Sequence, residues 1–116
     1  AFCREIKARQ EDFHDTEVVI CPPFTSLEAA GRSLSGSAIK LGAQNLFWEK
    51  AGAFTGEVAP PMLVDLGVQY VIIGHSERRH LLGEDDAAAR IRKACASAVD
   101  LTASTTDIGD AVAASL

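Results

Sequence analysis

The chain has 116 residues, of which 47% are apolar and 23% charged, the composition of one soluble globular domain rather than of a multidomain assembly. Sixteen acidic against eleven basic residues give a formal charge of −5 and a pI near 5.1, and beyond Arg78-Arg79 no basic cluster stands ready to neutralise a phosphate backbone. Nucleic acid is therefore not an expected partner. No apolar run approaches the roughly 18 residues of a bilayer span, and the opening AFCREIKARQ lacks the apolar stretch of a secretory signal. A cytoplasmic address without a membrane partner is the expectation. Cys3, Cys21 and Cys95 are odd in number and never spaced C-x-x-C, which suits small buried apolar residues better than a disulfide framework or a thiolate metal site.

From Ala1 to His14, Phe2, Ile6 and Phe13 stand among charged residues as on one face of a surface helix, with no N-cap before it. Glu17-Val18-Val19-Ile20-Cys21, closed by Pro22-Pro23, reads as a strand buried on both faces of a parallel sheet. Thr25 or Ser26 can cap a helix running to about Leu34, followed by a turn at Ser35-Gly36-Ser37 and a second strand over Ile39–Ala43. Gln44 and Asn45 then fall at that strand's C-terminal end.

The segment from Asn45 to Glu57 is punctuated by glycine and holds the single Trp. Loops of this length inside compact domains are usually functional or contact something, and Phe47-Trp48 reads either as core or as an exposed aromatic pair for a protein partner. Pro60-Pro61 suit the first turn of a helix to about Leu66, ended by Gly67. Tyr70–Ile73 is the clearest strand, and His75-Ser76-Glu77-Arg78-Arg79-His80 lies just past it. Glu84-Asp85-Asp86 begin a helix to about Val99, with basic residues towards its far end as the helix dipole favours. Residues 100–106 are too polar for a strand buried on both faces. Asp107, Ile108, Val112 and Leu116 have the spacing of a last capped helix. Strands alternating with helices in this way predict an α/β fold of right-handed βα units.

In parallel α/β folds ligands bind beyond the C-terminal strand ends, where His75, Ser76, Glu77, Gln44 and Asn45 fall. Backbone N–H groups after Gly74 would favour a neutral ring at His75. On its residues alone, His75 reads as a catalytic group or as a satisfied structural histidine. Glu77 with Arg78 and Arg79 reads as a structural ion-pair cluster or, for Glu77, as an acid or base. His75-x-Glu77 lacks the P-C-x-x-C partner of zinc deaminases, Ser76 lacks a G-x-S-x-G elbow, and no G-x-G-x-x-G or P-loop lysine motif occurs. No metal and no cofactor are expected, and His14 and His80 are given no role.

Gly42-Ala43-Gln44-Asn45, the stretch from Gly52 to Glu57, and Tyr70-Val71-Ile72-Ile73-Gly74-His75-Ser76-Glu77-Arg78-Arg79, with Cys21-Pro22-Pro23-Phe24-Thr25 ahead of them, together resemble the triosephosphate isomerase family. The resemblance covers residues 1–99 and implies a (β/α)8 TIM barrel, here from its first helix through its fourth βα unit, with residues 100–116 departing from the pattern. A complete barrel needs about 250 residues, so the chain represents about half of one.

The resemblance implies interconversion of dihydroxyacetone phosphate and glyceraldehyde 3-phosphate. In this family, itself a standard illustration of histidine tuned by a helix end, a neutral histidine polarises the carbonyl while a glutamate shuttles the proton. By motif position that histidine is His75, binding substrate as the electrophile, with Ser76 and Glu77 in support. Asn45, Thr55, Gly56 and Glu57 would belong to a homodimer interface. The family's first-strand asparagine and lysine, proton-transferring glutamate, mobile lid and later phosphate loop match no residues here, so the isolated chain is expected to be inactive or nearly so. The alternative reading is a non-catalytic half-barrel or partner-binding module with two open sheet edges; a generic anion-binding α/β domain is a third.

Overall fold

The computed structural model describes residues 1–83, 85, 86, 89 and 90. The chain divides into two compact units, residues 1–44 with 63–72, and residues 45–62 with those from 73 onward. The first unit carries α1 (Phe2–Ala8), a 3-10 turn (Gln10–Phe13), β1 (Val19–Ile20), a second 3-10 turn (Phe24–Ser26) leading into α2 (Leu27–Leu34), β2 (Lys40–Ala43) and β3 (Tyr70–Val71). Helix α3 (Pro60–Asp65) belongs to both units, and α4 (Ser76–Leu82) to the second.

Among the described residues the sheet has three strands in the order β1-β2-β3, all parallel, with Val19 opposite Lys40, Ile20 opposite Leu41, Gly42 opposite Tyr70 and Ala43 opposite Val71. Central β2 is buried without alternation from Leu41 to Ala43, as a parallel strand covered on both faces must be. Its flanking strands pair for two residues each. Pairing can extend only as far as the neighbour: β3 stops opposite Ala43, the last residue of β2, with Ile72 N–H making a final 2.9 Å bond to the Ala43 carbonyl.

Helix α2 presents Leu27, Ala30 and Leu34, all buried, at i, i+3 and i+7, the spacing of one helical face. It packs on β2 and on α1, and Ile39, Leu41, Ala43 and Leu63 complete the core of this unit. Leu27, at 1% exposure, is the deepest side chain, and truncating such a leucine to alanine costs about 2–5 kcal/mol. The expected side-chain cap on this helix is not made: Ser26 is its N-cap residue without a side-chain bond, because the 3-10 turn of Phe24–Ser26 already leads the chain into the helix. A Glu28–Arg32 pair spans i to i+4 at 2.5 Å, worth about 0.3–0.5 kcal/mol on a surface.

The first predicted helix breaks at Arg9 into α1 and the 3-10 turn. Of its expected apolar face, Ile6 and Phe13 are half-buried and Phe2 is 61% exposed. Cys3 and Cys21 are free thiols and only half-buried, which corrects the expectation of buried cysteines; Cys95 lies outside the described residues. The predicted helix from Glu84 and the tail after residue 100 also lie largely outside them, although Asp85, Asp86, Ala89 and Arg90 are helical. No described helix is long and apolar enough to cross a membrane.

Candidate active site

His75 sits after Gly74, whose φ of 65° places it in the left-handed region that glycine enters at little cost. That turn lets the chain leave an extended segment and enter α4 at once. Residues 75–80, which the sequence places just past the strand, are thus the N-cap and body of a helix. The helix ends at Gly83, whose φ of 67° forms the left-handed C-cap, its N–H bonded to the Arg78 carbonyl, a glycine stop visible in the sequence. Histidine is not a usual N-cap residue, so the start was the less legible end.

The ring itself supplies the cap. His75 Nδ1 accepts a 3.4 Å bond from the Glu77 backbone N–H, filling one of the donors that every helix start leaves open. Glu77 Oε2 stands 3.6 Å from the same nitrogen, a contact that would require a proton on Nδ1. The two demands are incompatible, and the backbone contact decides, since 3.6 Å is beyond hydrogen-bonding range. With Nδ1 accepting, a ring holding one proton would carry it on Nε2. The side chain is 51% exposed, leaving that Nε2–H available as a donor to a ligand.

Ser76 and Glu77 form the first turn of α4 and are exposed, with the Glu77 carboxylate at the helix end that the dipole favours. Arg78 and Arg79 are half-buried, and Arg79 Nε is buried without a hydrogen-bond partner among the described residues. His80 is exposed on the same helix, and exposed His14 bonds the Glu11 carbonyl at 3.0 Å and lies 3.0 Å from Asp15. No cluster of three or more His, Cys, Asp or Glu among the described residues could hold a metal ion.

The loop after β2 is organised around aromatics. Phe47 lies 4.1 Å from Trp48 and 4.7 Å from Phe54 between ring centroids, and the Arg90 guanidinium stands 5.2 Å over the Trp48 ring, within cation–π range. Phe47 N–H bonds the Val58 carbonyl at 2.9 Å and Glu57 N–H the Phe54 carbonyl at 3.0 Å. Phe47 and Trp48 are half-buried in this cluster, and the exposed ring is Phe54, at 45%. Thr55, Gly56 and Glu57 are exposed and Asn45 is half-buried. Gln44 belongs to the first unit, where its Nε2 donates to the Cys21 carbonyl at 2.9 Å and ties the end of β2 to that of β1.

A family model described as triosephosphate isomerase matches residues 1–105. The chain belongs to the triosephosphate isomerase family. Relatives carrying the name triosephosphate isomerase include that of Dictyoglomus turgidum, 56% identical over 84 residues, covering 72% of this chain and 34% of the relative. That of Moorella thermoacetica is 65% identical over 71 residues, covering 61% and 28%. The crystal structure of triosephosphate isomerase from Bartonella henselae superposes with a TM-score of 0.66 at 35% identity, over 79% of this chain and 40% of that one. The chain spans about a third of the length of the curated relatives it matches. Its parallel strands and helices are accordingly part of the family's (β/α)8 barrel, as the motifs around Gln44 and His75 implied.

Proposed function

We propose that this chain supplies the electrophilic wall of a triosephosphate isomerase site, completed by the rest of the barrel. The observation that supports the reading is the His75 cap: Nδ1 faces the Glu77 N–H at 3.4 Å, an arrangement that suits a ring carrying its proton on Nε2. A neutral imidazole donating to a carbonyl oxygen stabilises the negative charge that grows there as a base removes the neighbouring carbon-bound proton. Because the ring is a donor in its neutral form, it polarises the carbonyl without first being protonated. The product enediolate is reprotonated on the other carbon, turning dihydroxyacetone phosphate into glyceraldehyde 3-phosphate or the reverse.

His75 acts on substrate directly, while Ser76 and Glu77 position it through the first turn of α4. The base and the ammonium group that would share the oxyanion belong to barrel segments beyond these residues, so the 116-residue chain alone is proposed to turn over at background. The loop of Asn45, Thr55, Gly56 and Glu57 is proposed to meet a second copy in a homodimer, a reading that the 45% exposed Phe54 ring supports. A cytoplasmic setting in triose metabolism completes the proposal, and the free thiols of Cys3 and Cys21 suit a reducing compartment.

The test is a graft. Residues 1–84 replace the matching segment of the Moorella thermoacetica relative, and isomerisation is followed by coupling glyceraldehyde 3-phosphate to a dehydrogenase. The graft is expected to turn over and the 116-residue chain to stay at background. A soluble, folded graft without activity would overturn the reading.

A further inference from the structure

We propose that the groove between α1 and α2 is a binding site for an extended polyphosphate anion, separate from the His75 site. The groove is open to solvent and offers about 860 Å³, within the range of roughly 300–1,000 Å³ typical of small-molecule sites and more than a single phosphate group fills. Ala8 and Ala29 are part of its lining, and their small side chains leave room between the two helices. Around them stand Arg4 and Lys7 from α1, Gln10 from the following turn, and Arg32 and Ser33 from α2. Three cations line this groove, in a chain whose formal charge is −5, and one of them, Arg32, is paired with the Glu28 carboxylate beside it.

Gln10, Lys7, Arg32 and Arg4 keep donor groups free. Gln10 Oε1 accepts from the Ala38 N–H at 3.3 Å, which leaves its amide NH2 as the free end. Ser33 Oγ spends its single proton on the Ala29 carbonyl at 2.9 Å and offers the groove no donor. Lys7 Nζ is fixed against the carbonyl of Ser35, the C-cap of α2, with two N–H groups to spare. Arg32 Nη1 donates to Glu28, which steadies the guanidinium while four of its N–H donors remain. Arg4 makes no ion pair or hydrogen bond through its side chain among the described residues. Guanidinium forks match phosphate oxygens in pairs, and two of them with an ammonium spread along a groove match a chain of phosphates better than a point anion.

Calorimetric titration of the purified protein with tripolyphosphate, and separately with orthophosphate, tests the assignment. The groove variant Arg4→Gln/Arg32→Gln is compared with Arg9→Gln/Lys50→Gln, which removes the same charge outside the groove lining; circular dichroism checks that both fold. Saturable tripolyphosphate binding is expected, weakened about tenfold or more in the groove variant, as loss of charge-assisted bonds implies, and less than about twofold in the control. Orthophosphate should bind at least about tenfold more weakly than tripolyphosphate. Absence of saturable binding, equal weakening in both variants, or equal affinity for the two anions would overturn the proposal.

Discussion

Gly42 in β2 is the position where the structure predicts the sharpest response to one added carbon. Its φ is not positive, so no backbone strain is involved; the constraint is space. A Cβ built there would overlap Cys21 Sγ and stand 3.1 Å from Val19 Cγ1 and 3.4 Å from Tyr70 Cβ. Over-packing of this kind costs about 1–3 kcal/mol, against about 0.4–1 kcal/mol recovered from the less flexible unfolded chain. Gly42→Ala should therefore lose about 1–2 kcal/mol, lowering Tm by about 4–8 °C in a domain of this size. Cys21→Ala alone should cost about 1 kcal/mol for the lost half-buried sulfur. In the double variant the new methyl occupies the space the sulfur left, so the two losses should fall short of their sum by about 1 kcal/mol. Urea unfolding followed by circular dichroism measures all four corners of this cycle, with equal m-values required. A neutral or stabilising Gly42→Ala, or losses that add to within about 0.3 kcal/mol, would refute the argument.

Two further predictions concern titrating groups. Burial pushes the Cys21 thiol above its ordinary value, so less thiolate forms and alkylation by iodoacetamide near pH 8 should be slower in the folded protein than in urea, as peptide mapping would report. The Tyr70 phenol donates to Glu17 Oε1 at 2.5 Å, and that bond, with desolvation and the carboxylate charge, raises its pKa. A folded value above the unfolded one means stability that is complete below about pH 10 and is lost as pH rises through the folded value. Tyr70→Phe should flatten the decline in urea midpoint above that pH; an unchanged decline would show that the bond does not matter.

Much of this architecture can be read from particular residues. Ile39–Ala43 announces a strand covered on both sides, and the structure pairs Lys40–Ala43 with a neighbour on each edge. Glu17–Cys21 and Tyr70–Ile73 read equally well, yet only two residues of each are paired. β3 ends where its neighbour ends, opposite Ala43, a limit that a single run of apolar residues does not contain. β1 stops at Ile20 although β2 runs on to Ala43, just ahead of Pro22-Pro23, which carry no backbone N–H. Pro60-Pro61 and Gly67 mark α3 because proline and glycine act through their own backbone. α4 was hidden for the opposite reason: its cap is an imidazole nitrogen, outside the usual capping set, and only Gly83 betrays its end. The position of His75 was legible from its motif, whereas its contact with the Glu77 N–H needed the helix start to be placed. The α1–α2 groove was invisible because Arg4 and Arg32 are far apart in the sequence, and nothing local to either residue marks the other.

The account rests on His75 acting through an outward Nε2–H, and kcat of the His75→Gln graft tests that most directly. Loss of a positioned polarising group in the transition state predicts a fall in kcat of about 10²–10⁴-fold with little change in KM, in a protein that stays folded and loses no more stability than one helix cap, about 0.5–2 kcal/mol. A kcat within about twofold of the unsubstituted graft, against that predicted fall, would contradict the central claim and leave His75 as a helix cap alone.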